Sequence, residues 1–239
     1  MIPVRKQAVP IQFRQITREK PTLTYKQFSE EEAYKQGFDQ LRVALLKEQR
    51  FVCCYCQKKI VLKNDFGNPQ MKTEHFIPKN GVEKDENLQL EYSNLLACCL
   101  GNQDSNKQNH CDSSKKDKRL KVLPNPAALR QDNFDYFLKY KVREKLEQVD
   151  VIAAFQDINL QKDINITLNL NEQRLREKRF FAWKSVWSRI HKKGKADIKL
   201  LKEILDDFDF NVKKVENKPF CGFIMSWYKE RFKTELANL

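Results

Sequence analysis

Long apolar runs are absent from this sequence of 239 residues, and no stretch approaches the roughly 18 apolar residues of a membrane-spanning helix. The first residues also lack the continuous apolar core of a secretory signal peptide. Internal repeats and low-complexity tracts are absent as well. We therefore expect a cytoplasmic, globular protein rather than a membrane or secreted one.

Acidic residues are outnumbered: 32 Asp and Glu face 45 Lys and Arg, which gives a formal net charge of +13. Such an excess favours a polyanionic partner, because Lys and Arg gain affinity from phosphate contacts and counterion release. Many basic proteins bind no nucleic acid, so charge alone leaves the partner open. Nothing in the sequence resembles a helix that reads base edges, so we expect sequence specificity to come from elsewhere.

Cysteine is concentrated in one region, since six of the seven cysteines lie between positions 53 and 111. In a cytoplasmic chain this crowding favours metal or redox chemistry over disulfides. Cys53 and Cys56 form a C-x-x-C pair, a spacing that lets one tight turn direct two thiolates at zinc. The second pair is expected to be Cys99 and Cys111.

Two alternatives remain within this cysteine-rich region. Cys98 could replace its neighbour Cys99 as a ligand, whereas Cys54 is expected to be a bystander. Four thiolates would close a tetrahedral structural site and stabilise a small fold. The competing interpretation is that some of these cysteines are simply buried apolar residues.

Three short motifs lie within or beside the cysteine pairs: Glu74-His75-Phe76-Ile77-Pro78, Asn94-Leu95-Leu96 and His110-Cys111-Asp112. A carboxylate beside a histidine is a weak signal alone, because Glu-His occurs by chance in many chains. Its position between two zinc half-sites makes a catalytic site the stronger interpretation.

The order C-x-x-C, Glu-His-x-x-Pro, Asn-Leu-Leu and Cys-Asp-x-x-Lys resembles the HNH endonucleases. More narrowly, the opening MIPVRK and the phrases EHFIPKN and HCDSSKKD are similar to the PtuB family, the HNH nuclease subunits of Septu-type and retron-associated anti-phage systems. The resemblance implies an α+β fold. A ββα-metal (HNH) core with a zinc knuckle would be embedded in a mostly helical chain with a C-terminal helical extension.

The resemblance also implies a metal-dependent endonuclease and a role for each matching residue. His75 would be the general base that activates water against a phosphodiester, and Asn94 would orient the loop that carries it. Glu74 and Asp112 would bind a catalytic Mg²⁺ or Mn²⁺ ion. The structural Zn²⁺ ligands would be Cys53, Cys56, Cys99 and Cys111.

The sequence departs from the usual HNH pattern at three points. Glu74 stands where Asp is commoner, and Asp112 replaces Asn or His. Eleven residues separate Cys99 from Cys111, where two to four are common in the superfamily. His110 could therefore be an extra ligand, a substrate contact in the active-site shell, or a residue without a role.

A basic run follows the proposed metal loop and comprises Lys115, Lys116, Lys118 and Arg119. Beside a phosphodiesterase site we expect these residues to contact the nucleic-acid backbone. The alternative is a solvated charged loop.

The chain is expected to divide into an extended N-terminal arm for partner docking (1–28), an HNH nuclease domain with its zinc knuckle (29–122) and a mostly helical C-terminal region (123–239). The resemblance implies a PtuA-like ATPase partner and, in retrons, a reverse transcriptase with its RNA–DNA hybrid. A competing hypothesis is a non-catalytic, zinc-stabilised basic adaptor that binds nucleic acid or protein. A third is a restriction-like enzyme that acts alone.

Residue patterns give a coarse set of elements. A capping box of Ser29 and Glu32 predicts a helix over 29–50, and 72–76 is predicted to be a strand. Residues 87–99 are predicted to be part loop and part helix. Further predictions are strands at 134–140 and 165–169, a long helix capped by Asn171, and helices at 196–207 and 219–236.

Overall fold

The computed structural model describes residues 1–103, 105–128, 134–191, 198–212 and 214–236. It mixes helices with small antiparallel sheets, so the expected α+β class is confirmed in this coarse form. The strands are β1 Met71–His75, β2 Leu95–Cys99, β3 Leu138–Arg143 and β4 Gln148–Ala153. The helices are α1 Ile11–Glu19, α2 Tyr25–Glu30, α3 Lys35–Glu48, α4 Asp112–Lys115, α5 Phe134–Phe137, α6 Ile158–Lys162, α7 Gln173–His191, α8 Ile198–Phe208, α9 Cys221–Arg231 and α10 Lys233–Leu236. In these ranges no helix has the length and apolar character needed to cross a bilayer.

The first sheet pairs β1 with β2 in antiparallel register, with Met71 opposite Cys99 and His75 opposite Leu95. All five β2 residues are buried, as expected for the continuous apolar run Leu-Leu-Ala-Cys-Cys, and α3 packs against β2. The predicted strand at 72–76 is confirmed within one residue as β1. Residues 87–99 were expected to hold no strand, which the structure corrects with β2.

The extended form predicted for residues 1–28 is corrected, because the segment contains α1 and the first four residues of α2. A capping box does open a helix, but it is formed by Thr24 and Gln27 rather than by Ser29 and Glu32. The predicted helix over 29–50 is therefore two helices, α2 and α3, with a 3₁₀ turn between them. A Cβ on Gly37 of α3 would lie 2.6 Å from Ile16 Cδ1 of α1, so glycine permits their close packing.

The hydrophobic core crosses the expected domain boundaries. One cluster joins Met1 and Val4 to Leu45, Leu95 and Leu160. The N-terminal segment, the motif-bearing region and part of the C-terminal region thus share a single core. A second cluster contains buried side chains of α7, α8 and α9.

A buried carboxylate strengthens the junction near residue 122. Asp163 accepts hydrogen bonds from the backbone N–H groups of Lys121, Val122 and Leu123 at 2.8–3.0 Å. Removing that carboxylate would leave three backbone donors to find other partners, which is costly in a buried position.

Several C-terminal predictions differ from the structure. Residues 134–137 are helical, and the strand β3 begins only at Leu138. The predicted strand at 165–169 is wrong, since Asp163–Thr167 forms a π-helix. The Asn171 side chain exchanges two 2.8 Å hydrogen bonds with the backbone of Val151, so it joins β4 to the chain before α7.

The last predicted helices are confirmed with shifted ends. The helix expected at 196–207 corresponds to α8, although 196 and 197 lie outside the described residues. The helix expected at 219–236 is divided into α9 and α10. Phe223 and Ile224 of α9 are buried.

Candidate functional site

The C-x-x-C turn is shaped by backbone hydrogen bonds. Cys53 N–H donates to the Lys58 carbonyl at 2.9 Å, and Gln57 N–H donates to the Cys53 carbonyl at 3.0 Å. The N–H of Cys54 donates to the carbonyl of Ala97 at 3.1 Å and so joins the turn to β2. This attachment brings the first cysteine pair beside the cysteines at the end of β2.

A closed loop brings the remaining cysteine back to the same place. His110 N–H donates to the Gly101 carbonyl at 3.0 Å, and Gly101 has a φ of +64°. A Cβ at position 101 would lie 2.2 Å from the His110 carbonyl oxygen, so only glycine permits this closure. The eleven-residue separation of Cys99 and Cys111 is therefore spanned by a loop that folds back on itself.

The cysteine sulfurs lie at distances that suit a tetrahedral metal site. Cys53 Sγ is 3.6 Å from Cys98 Sγ and 4.0 Å from Cys111 Sγ. Cys56 Sγ is 3.8 Å from Cys99 Sγ. Tetrahedral zinc with Zn–S bonds of about 2.3 Å places its sulfurs roughly 3.8 Å apart. The buried cluster has the dimensions to hold a structural metal.

More donors meet here than a single ion needs. Two overlapping groups satisfy metal-site spacing: one comprises Cys53, Cys98, Cys99 and Cys111, and the other comprises Cys56, Cys99, His110 and Cys111. His110 Nδ1 lies 3.2 Å from Cys111 Sγ. Neither group contains both Cys53 and Cys56, so the predicted set of four cysteines is divided between the two groups, and Cys54 belongs to neither.

The chemistry of the donor set fits a soft cation. Burial opposes ionisation of Cys53, but hydrogen bonds from Cys111 and the neighbouring thiols outweigh it and hold the pKa of Cys53 well below its usual value. Burial raises the pKa of the Cys111 thiol well above its usual value. A thiolate enclosed by thiols is a donor set that zinc completes by displacing the remaining protons.

The second candidate group lies in a cleft at the other end of β1. Glu74 and Lys115 form an ion pair of 2.8 Å in which both side chains are only 1% exposed. Tyr55 Oη also donates to Glu74 Oε1 at 2.7 Å. Lys115 further donates to the His75 carbonyl at 2.9 Å, so one ammonium fixes both residues of the Glu-His pair.

Asp112 faces the same cleft from the start of α4, directly after Cys111. Lys72 Nζ lies 3.1 Å from Oδ2 of Asp112. Burial raises the pKa of Glu74 well above its usual value. Burial also disfavours the Asp112 anion, but the hydrogen bond with Glu74 and the charge of Lys72 lower the pKa of Asp112 overall. Two adjoining carboxyl groups offer hard oxygen donors that suit Mg²⁺ or Mn²⁺.

His75 is oriented by a backbone carbonyl. Its Nε2 lies 2.9 Å from the Gln89 carbonyl oxygen. A carbonyl only accepts, so Nε2 carries the proton and the neutral ring keeps the lone pair on Nδ1. Burial, together with nearby Lys79 and Lys115, lowers the pKa of His75 to about 4. The ring is therefore a neutral proton acceptor at physiological pH.

Asn94 holds the loop that follows His75. Its Nδ2 donates to the carbonyls of Ile77 and Leu88 at 3.0 Å each, and its Oδ1 accepts from Ile77 N–H at 2.7 Å. These contacts reach the loop and not the imidazole ring. These contacts make Asn94 a residue that positions the loop.

The basic run divides into different environments. Lys116 and Lys118 are exposed, and Lys116 lines the cleft of about 520 Å³ that contains Glu74, His75 and Asp112. Arg119 Nε donates to the Glu83 carbonyl at 2.7 Å. The backbone-contact role predicted for Lys115 is corrected, because its ammonium is buried against Glu74 and is not presented at the surface.

Four residues of the site escaped the sequence reasoning. Tyr25 lies edge-on to His75 with ring centroids 4.4 Å apart, and Gln89, Tyr55 and Lys72 bind members of the Glu-His-Asp group. Tyr55 lies inside the C-x-x-C pair, and Lys72 lies two residues before Glu74. Their closeness in sequence to predicted site residues could have identified both. Tyr25 and Gln89 carry no local signal, since only the tertiary fold brings them to His75.

Comparison with known proteins adds to this geometry. No family model matches the chain. Over 126 residues it is 31% identical to a candidate HNH endonuclease of retron Vc95 from Vibrio cholerae serotype O1 biovar El Tor. The aligned segment covers 52% of this chain and 57% of that protein. Over 71 residues it is 35% identical to a candidate HNH endonuclease of retron Ec83 from Escherichia coli, which covers 28% of this chain and 26% of that protein.

The chain resembles retron HNH endonucleases. The resemblance predicted from the motifs is therefore confirmed at the level of HNH endonucleases in a retron context. The chain spans about half the length of the first of these retron HNH relatives and about a quarter of the second.

Proposed function

We propose that the chain is a metal-dependent HNH endonuclease that hydrolyses phosphodiester bonds of nucleic acid. The observation that carries the proposal is the convergence of His75, Glu74 and Asp112 in one lysine-lined cleft, with Asp112 attached directly to the cysteine cluster. The strands β1 and β2 with the short helix α4 would be its ββα-metal core. The retron HNH relatives support the same activity.

The chain's own groups have distinct tasks in this reaction. His75 Nδ1 removes the proton from the attacking water, since its Nε2 is engaged by Gln89. Glu74 and Asp112 would hold a divalent cation, which would polarise the scissile phosphate and stabilise the leaving oxygen. Asn94 keeps the loop after His75 in place, and the exposed Lys116 and Lys118 attract backbone phosphates.

The cysteine cluster would hold a structural zinc through Cys53, Cys56, Cys99 and Cys111. Asp112 follows Cys111 in sequence, so a zinc bound at Cys111 fixes the backbone from which the second carboxylate projects. His110 would support this site from its position 3.2 Å from Cys111 Sγ.

The biological setting is part of the proposal. The opening MIPVRK and the phrases EHFIPKN and HCDSSKKD support a PtuB-type effector of an anti-phage defence system that acts with a PtuA-like ATPase. In a retron the reverse transcriptase and its RNA–DNA hybrid would be further partners. Residues 1–28 remain the predicted docking segment, although they are folded onto the core.

The test is cleavage of plasmid DNA, single-stranded DNA and total RNA with Mg²⁺ or Mn²⁺, with the ATPase present and absent. His75→Ala should reduce cleavage by about 10²- to 10⁴-fold, the usual contribution of a general base, while circular dichroism remains unchanged. Cutting by His75→Ala at the unsubstituted rate would refute the assigned base. Absence of cutting on every substrate, with zinc bound, would refute the enzyme.

One observation favours a second candidate, a non-catalytic zinc-stabilised adaptor. Glu74 is already paired with Lys115, and Asp112 with Lys72, as in a purely structural ion-pair network. In that case Glu74→Gln and His75→Ala would leave biological function intact.

A further inference from the structure

A second groove, away from the catalytic residues, carries basic side chains that the proposed mechanism does not use. Its volume is about 310 Å³, and it runs beside the cysteine cluster past Lys58, Gly101 and Arg174. Gln103 lines both this groove and the catalytic cleft. The two depressions therefore meet at the loop that follows β2.

Cations from two separate elements lie at or beside this groove: Lys58 and Arg174 line it, and Lys178 lies one turn along α7 from Arg174. Lys58 follows the C-x-x-C turn, while Arg174 and Lys178 lie four residues apart at the start of α7, a spacing that places them on the same helix face. Burial, and then the charges of Lys58 and Arg174, lower the pKa of Lys178.

These positive charges have only indirect compensation, from the nearby charges of Cys56 and Glu172. Within the part of the chain that the structure describes, none of Lys58, Arg174 and Lys178 forms an ion pair. The neighbouring Lys59 does pair, with Glu216. Like charges brought together without a counter-charge cost free energy, and a bound polyanion would recover it.

We propose that this groove holds the sugar–phosphate backbone of the substrate strand on one side of the scissile bond, with Lys58, Arg174 and Lys178 contacting its phosphates. A strand in the catalytic cleft would leave it past Gln103 and continue beside the cysteine cluster. This site rests on the proposed function for its substrate class. Its contacts are to phosphates, so it adds affinity and register without sequence readout.

A competing explanation also comes from the position of the groove. Four zinc-bound thiolates would carry net negative charge, and Lys58 lies two residues after Cys56. The cations could thus serve the metal cluster instead of a ligand, and the experiment must separate these two roles.

The test measures binding by the full chain with His75→Ala, which prevents cleavage. Fluorescence anisotropy with a labelled DNA duplex, its single strand and an RNA of the same sequence gives affinity at several KCl concentrations. Arg174→Gln with Lys178→Gln is compared with Lys199→Gln with Lys202→Gln, an exposed pair on α8. Lys58→Gln provides a second variant outside α7, and metal analysis reports zinc in every protein.

We expect the α7 variant to bind at least about tenfold more weakly at moderate salt, with the slope of log affinity against log salt reduced by roughly 2 for two lost phosphate contacts. Lys58→Gln should reduce this slope by roughly 1. The α8 variant should bind like the parent, and zinc should remain stoichiometric. The preferred probe among the three identifies the strand type.

Equal binding by the α7 and α8 variants would overturn the groove while leaving the endonuclease untouched. Loss of zinc in the α7 variant would assign the cations to the cluster and also overturn it. If the unsubstituted chain cuts nothing but its binding depends on Arg174 and Lys178, the groove stands and the endonuclease fails. Absence of binding to every probe would overturn both.

Discussion

The cysteine cluster and the carboxylate cleft adjoin through the peptide bond between Cys111 and Asp112, yet their charges are balanced differently. In the cleft each carboxylate has its own ammonium, Lys115 for Glu74 and Lys72 for Asp112. In the cluster the sulfurs contact mainly one another and the His110 ring. In the cleft, ammonium groups of the protein balance the carboxylates, whereas the cluster has the donors to hold a structural metal.

The largest expected effect is loss of the fold when a cluster thiol is removed. Cys53→Ala should lose zinc and its cooperative thermal transition, because structural zinc contributes about 10–16 kcal/mol against a total stability of about 5–15 kcal/mol. Cys54→Ala is the matched control, since Cys54 is buried in the same turn but belongs to neither donor group. Metal analysis and circular dichroism measure both. Full zinc content in Cys53→Ala would remove Cys53 from the ligand set.

A smaller effect is expected at the buried ion pair of the cleft. Lys115→Met should destabilise the chain by about 3–5 kcal/mol, because it leaves the Glu74 carboxyl buried without its ammonium. Glu74→Gln combined with Lys115→Met should recover most of this loss, since both charges are then gone. Urea unfolding of the two single variants and the double variant measures the coupling. Additive losses would mean that the cleft is not organised by this pair.

The smallest effect is expected at His110, next to the point where the cysteine cluster meets the carboxylate cleft. His110→Ala should keep stoichiometric zinc but weaken its affinity by about 10- to 100-fold, the usual cost of losing a group that supports a ligand. Competition with a chromophoric zinc chelator measures the affinity, and Cys54→Ala again provides the reference. Complete loss of zinc would instead make His110 a ligand.

Features that depend on residues close in sequence could be predicted, whereas features that depend on contacts between distant residues could not. The C-x-x-C turn and the strand before His75 depend on residues a few positions apart, and both were anticipated. The strand β2 was missed, because the five apolar residues from Leu95 suit a buried helix as well as a strand and only pairing with β1 decides. The π-helix replaced a predicted strand for a similar reason, since Asp163 is held by contacts to residues 121–123.

The sequence indicated many residues of the candidate site, but it did not indicate the contacts between them. Glu74, His75 and Asp112 line one cleft, and the cysteines near the motifs form one buried cluster with two overlapping donor groups. The burial of Lys115 was not foreseeable, because a lysine in a polar run is solvated unless a distant carboxylate binds it. His110 and Cys98 were left open in the sequence, and the structure brings both beside the predicted ligands.

Gln89 connects the start of α2 to His75 at the end of β1. Its carbonyl accepts from His75 Nε2 at 2.9 Å, while its side-chain Oε1 accepts from the N–H of Tyr25 at 2.8 Å. The first turn of α2 is therefore one residue removed from the imidazole, and the Tyr25 ring forms a wall against it. A fragment trimmed to the motif-bearing residues 51–117 would keep every proposed metal ligand and yet lack this wall. A catalytic unit of the proposed kind would therefore extend back at least to α2.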